Sequence, residues 1–103
     1  MTEEANERLK QFLNDGRNWE RKATNIAGAF LFRLPATKGR PASLAIEINP
    51  VDTYGSITKK RGVVIRSSSE LGEISGLLSN PKVCELSKKI DEEKRDYYRE
   101  RRS

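Results

Sequence analysis

Residues 43–49, SLAIEIN, set large apolar side chains against small or polar ones at alternate positions. A period of two is the pattern of a half-buried β-strand. It predicts Leu44, Ile46 and Ile48 facing inward, with Ser43, Ala45, Glu47 and Asn49 outward. A strand needs neighbours to pair its backbone, and the flanking segments read as those neighbours. IAGAFLFRL (26–34) is a short apolar run ended by Pro35, with Phe30 and Phe32 on one face and Leu31 and Arg33 on the other. ATKGRPA (36–42) makes a hairpin connection. Asn49-Pro50 stops the second strand. A third strand is expected within 53–58, around Tyr54 and Gly55. A fourth is expected over 63–66, after a basic turn at 59–62 that Gly62 lets the chain leave. Residues 17–24, RNWERKAT, read as a loop or short turn. The middle of the chain is therefore expected to be a four-stranded antiparallel meander with basic tips at Lys38–Arg40 and Lys59–Arg61.

Helices flank this sheet. Thr2 is a candidate N-cap, Glu3, Glu4 and Glu7 suit the positive end of a helix, and Ala5, Leu9, Phe12 and Leu13 recur at helical spacing up to Gly16. A helix is expected over 3–15. Ser67 and Glu70 form a capping box for a helix over 68–78, with Leu71, Ile74, Leu77 and Leu78 as its apolar stripe. Asn80-Pro81 starts a third helix that runs to about 100. Its apolar positions, Val83, Leu86, Ile90 and Tyr97, are spaced by threes and fours with Glu93 interrupting, as in a coiled coil. About 20 helical residues span roughly 30 Å, more than so small a sheet covers. Leu86, Ile90 and Tyr97 are thus candidate contacts of a homodimer or higher homo-oligomer; packing on its own sheet is the alternative. The expected fold is α+β in a single domain, 1–103. Its parts are a helix (1–16), a basic antiparallel sheet (17–66), a second helix (67–79) and a long charged helix (80–103).

The net charge of +5 is unevenly placed. Residues 1–16 carry two cations and four anions. Residues 17–66 carry ten cations against three anions, and residues 67–103 carry eight of each. The whole excess belongs to the sheet segment. Such a concentration is the footprint of a polyanion binder; solubility alone does not require it to collect there.

Several chemistries are excluded by residue type. With no histidine there is no imidazole acid/base and no His-containing zinc site, and the one cysteine, Cys84, cannot make a thiolate cluster. No GxGxxG or P-loop is present. Glu47 and Asp52 read as strand-face solvation and a turn residue. The expectation is a non-enzymatic protein with no catalytic residue, no metal and no cofactor. An unpaired Cys84 fits a reducing cytoplasm. The acidic start is unlike a signal peptide, and no apolar run has membrane-spanning length. Few glutamines and methionines beside many Lys, Arg and Glu resemble a heat-adapted composition.

Single-stranded nucleic acid suits a basic sheet with aromatics, because bases stack on rings while cations follow the phosphates. The stacking candidates are Trp19, flanked by Arg17, Arg21 and Lys22, and Tyr54. Arg33, Lys38, Arg40, Lys59, Lys60, Arg61 and Arg66 are candidates for the phosphate track, with Arg66 and Arg33 continuing it on a shared outward face. That face is expected to hold Ala27, Ala29, Leu31, Arg33, Ala45, Glu47, Val64 and Arg66. Trp19 as a lid on the core is the competing reading, and Phe30 and Phe32 fit the core. Duplex DNA is less favoured, since no helix-turn-helix spacing occurs. RNA as ligand stays open, as does an assembly protein whose sheet docks an acidic partner.

NWERKATNIAGAFLFRLP (18–35), SLAIEINP (43–50), KKRGVVIRSS (59–68) and the Asn80-Pro81 helix start, taken in order, resemble the ThermoDBP family of archaeal single-stranded-DNA-binding proteins. That resemblance implies single-strand binding in a cleft with an apolar floor and basic edges, and dimerisation through the C-terminal helix. The passage from Lys59 to Ile74 is also similar to the Lys-Gly-strand-helix part of the transcription coactivator positive cofactor four, another single-strand binder.

Overall fold

The computed structural model describes the backbone of residues 3–102 and the side chains of residues 3–101. The N-cap expected at Thr2 lies outside the described residues. Helix α1 (Glu3–Asp15) is followed by strands β1 (Arg21–Ala23), β2 (Ala29–Leu34), β3 (Ser43–Ile48) and β4 (Val63–Ile65), then by α2 (Ser68–Leu78) and α3 (Pro81–Arg102). The strands form one antiparallel sheet in the order β1-β2-β3-β4. This is the α+β arrangement the sequence predicts. The chain divides into two compact units, one ending at Ser67 and one beginning at Ser68.

In the first unit, register decides the faces. Arg21–Phe32–Ala45 and Ala23–Phe30–Glu47–Val64 form rows on one face, which we call the front. Lys22–Leu31–Ile46–Ile65 and Arg33–Leu44 form rows on the back. Phe32, Leu34 and Ala45 are the buried cluster of the front, with Val64 packed against it. Burying a side chain such as Phe32 or Leu34 contributes about 1.5–3 kcal/mol. Helix α1 lies on the back. Its buried Phe12 carries the Lys22 ammonium 5.4 Å from the ring centroid, and the Leu13 carbonyl accepts the Arg33 Nε–H at 2.7 Å.

Three expectations about the sheet are corrected. First, β1 falls at 21–23, inside the stretch read as loop. A three-residue edge strand, RKA, has no apolar alternation to reveal it. Second, residues 53–58 form no strand. Asp52 Oδ1 accepts the amides of Tyr54 and Ser56, Gly55 has φ +82°, and a single bridge joins Val51 to Ile57. Local side-chain hydrogen bonding here wins over the β-propensity of Tyr54 and Ile57. Third, β3 buries the opposite face from the one its alternation predicts. Ala45, Glu47 and Asn49 are buried, whereas Ile46 is 40% and Ile48 37% exposed. The alternation has the right period, but side-chain size alone does not say which face the chain covers. Here Trp19 and Arg21 lie against Phe32 on the front, and the 59–62 loop is bonded to Glu47 and Asn49. The expected outward surface also splits, since Leu31 and Arg33 lie on the back and Ala45, Glu47 and Val64 on the front.

The second unit holds α2 and α3. Asn80 starts α3 as expected: its Oδ1 accepts the Lys82 amide at 2.9 Å, and its carbonyl accepts the amides of Val83 and Cys84. Along α3, Leu86, Ile90 and Tyr97 are all exposed, and Arg101 sits 4.8 Å from the Tyr97 ring centroid. Among the described residues, no helix is long and apolar enough to cross a membrane.

Candidate nucleic-acid interface

The turn before β1 is closed by the Arg17 amide donating to Glu20 Oε1 at 2.8 Å and the Glu20 amide donating to the Arg17 carbonyl. It forces Trp19 to φ +66°. A bulky residue in the left-handed region costs on the order of 1–3 kcal/mol and persists only when its surroundings fix it. The fixing groups are visible. The Trp19 amide donates to the Arg33 carbonyl at 2.7 Å, and the Arg33 amide donates to the Glu20 carbonyl at 3.0 Å. The indole meets Phe32 with centroids 5.7 Å apart at 54°. Despite this anchoring, Trp19 is 51% exposed. It is neither a closed lid nor a loose surface ring. The Arg61 guanidinium lies over it at 5.4 Å.

Arg61 belongs to the 59–62 loop, which is held by its backbone. Glu47, fully buried, takes both Arg21 Nε–H and, at 2.9 Å, Arg21 Nη2–H, one on each carboxylate oxygen. Its Oε2 also accepts the Gly62 amide at 2.9 Å. Arg21 Nη2 reaches the Lys60 carbonyl at 3.4 Å, and Asn49 Nδ2 donates to the Lys59 carbonyl at 2.9 Å. Arg21 and Glu47 of the sheet, with Asn49 just beyond β3, thus grip three consecutive peptide groups of the loop and leave the Lys59, Lys60 and Arg61 side chains exposed. The Arg21 hydrogen bond holds the Glu47 carboxyl below the usual carboxylate range, against the opposing effect of burial and with help from the Gly62 amide. Glu47 is therefore a buried ionic anchor, which corrects its expected role as a solvated strand-face acid. Asp52 is the turn residue expected.

The candidates gather unevenly. Trp19, Arg21 and Arg61 meet on the front, with Lys59 and Lys60 on the same loop. The Arg21 guanidinium is committed to Glu47 and stands 5.8 Å from the centroids of both Phe30 and Phe32, so it serves the floor of the surface. Arg17 is exposed beside Trp19. Lys38 and Arg40 sit exposed on the β2–β3 hairpin, at the Leu34–Ser43 end of the sheet. The 59–62 loop leads into Val63, which pairs with Ile48 at the opposite end of β3. The two basic tips thus lie at opposite ends of the sheet. Lys22 and Arg33 are on the back, Arg33 held by the Leu13 carbonyl and by Asn18 Oδ1 at 2.7 Å. Arg66 follows β4 and is exposed, but by strand alternation it does not continue Arg33's face. Tyr54 is 91% exposed at the tip of its own loop. The functional residues that sequence reasoning missed are Glu47 and Asn49. Nothing in their spacing from Arg21 or Gly62 signals the contact.

No protein-family model matches the chain, and no curated protein or solved structure is significantly similar to it. Among the described residues, no group of three or more Cys, Asp or Glu side chains is placed to hold a metal ion.

Proposed function

We propose that the protein is a non-enzymatic, largely sequence-independent binder of single-stranded DNA. The observation that carries the reading is a half-exposed tryptophan, fixed in a strained conformation, beside a backbone-anchored loop of three cations. A base stacked on an aromatic ring contributes about 1–3 kcal/mol whatever its identity, and cations beside it follow the phosphates. The likeness of segment order to the ThermoDBP family supports the same ligand. A cytoplasmic setting fits the chain's single thiol.

The test is an anisotropy titration with single-stranded DNA, duplex and RNA at two salt concentrations. Single-stranded DNA should bind most tightly and quench the emission of Trp19, the chain's one tryptophan. Duplex binding as tight or tighter overturns the reading, and a preference for RNA moves it to that ligand. We further propose a homodimer through α3, on the exposed seam of Leu86, Ile90 and Tyr97. Light scattering at micromolar concentration should give twice the 11.7 kDa chain mass; the monomer mass refutes it.

A further inference from the structure

We propose that Glu47 is the positioning residue of the single-strand contact: from inside the sheet it sets the 59–62 loop and so the placement of Arg61 over Trp19. The inference rests on the reading above but is separable from it.

The geometry carries the argument. Glu47 has no exposed surface, so it touches no ligand. Its carboxylate joins two pieces of the site that are far apart in sequence. One is Arg21, two residues after Trp19; the other is the amide of Gly62, next to Arg61. Arg21 closes the circuit by reaching the Lys60 carbonyl, and Asn49 holds the Lys59 carbonyl from the same side of β3. The tip that bears three cations would otherwise be dispersed by their mutual repulsion. Backbone hydrogen bonds from the Arg21–Glu47 pair and from Asn49 hold the tip against that repulsion while leaving its three side chains exposed. An anion at a nucleic-acid surface ordinarily weakens binding by repelling phosphate. Here the loss of the anion should weaken binding instead, because the order of the loop is lost with it.

That sign makes the test sharp. Glu47→Gln keeps the side-chain shape and raises the net charge by one. If Glu47 acted only as a charge, the variant would bind single-stranded DNA more tightly. As a positioning residue, its replacement should weaken binding about tenfold and speed exchange of the Gly62 amide about tenfold, the effect of one charge-assisted hydrogen bond. The salt slope of the folded variant should also fall, by about 0.7 for each phosphate that the loop no longer neutralises. A fold that is merely less stable would leave that slope unchanged. Arg21→Lys is the second variant, for use if Glu47→Gln does not fold. It keeps both charges, but its point-like ammonium cannot hold two carboxylate oxygens and the Lys60 carbonyl together. It should shift the same three readouts in the same direction at constant net charge. Parent-like Gly62 exchange with parent-like or tighter binding overturns the inference. If the parent binds no single strand, the proposed function fails, and Gly62 exchange together with iodide quenching of Trp19 still decides whether Glu47 sets the loop.

Discussion

Replacing Lys59, Lys60 and Arg61 together by alanine should flatten the slope of log K against log salt by up to about 2 units, since each phosphate neutralised on a single strand contributes about 0.7. Binding should weaken similarly for every base sequence, because phosphate contacts carry no base information. The fold should survive. What anchors the loop is the Lys59 carbonyl, the Lys60 carbonyl and the Gly62 amide, and truncating three side chains leaves all of them in place. One change should show without ligand. Removing Arg61 uncovers the indole it lies over, so Trp19 emission and its quenching by iodide should change in the free protein. A folded triple variant with the parental affinity and slope would make the loop a solvated turn and leave Trp19 without its cationic neighbour's role.

The helices are the most legible part of the sequence, for a physical reason. Their signals are local: Ser67 before Ser68–Leu78 and Asn80-Pro81 before Pro81–Arg102 act within a turn or two of the residues they organise. The strands are less so. The β2–β3 pairing follows from apolar runs around one hairpin, but β1 is three residues long, and its partner Phe30–Phe32 makes it a strand. The buried face of β3 escapes the sequence pattern because covering a face is a long-range decision. Glu47 is held by Arg21 and by a loop 12 or more residues away in sequence, and Trp19 packs on Phe32, the cross-strand partner of Ala45; alternation encodes none of these. At the candidate site, charge clustering picks out the 59–61 tip and Trp19. It does not separate Arg61, which meets the indole, from Arg21 and Arg33, whose guanidinium groups are used inside the fold.

Gly62→Ala should be among the most damaging glycine substitutions in the sheet unit's loops, and Gly39→Ala one of the mildest. The sequence suggests that Gly62 serves to let the chain leave a turn, yet its φ is not in the left-handed region, where Gly28 and Gly55 sit. Its requirement is for space. A Cβ there would overlap the Ile48 carbonyl oxygen and lie 2.8 Å from Asn49 Cβ. Neither can yield cheaply. The Ile48 carbonyl is part of the β3 backbone where Val63 pairs, and Asn49 is fully buried with its amide on Lys59. Forced overpacking of this kind costs about 1–3 kcal/mol, and the shift would also strain the hydrogen bond that the Gly62 amide donates to Glu47. A loss near 2 kcal/mol lowers the melting midpoint of a domain this size by roughly 8–16 °C. Gly39, on the β2–β3 hairpin, has nothing within 4 Å of the same position and no left-handed φ. Alanine there should be neutral or stabilise by up to about 1 kcal/mol through the unfolded chain. Thermal and urea denaturation of both variants compares them directly. Equal midpoints would mean that the 59–62 loop is not seated on the sheet, and the anchoring of Lys59, Lys60 and Arg61 would fall with it.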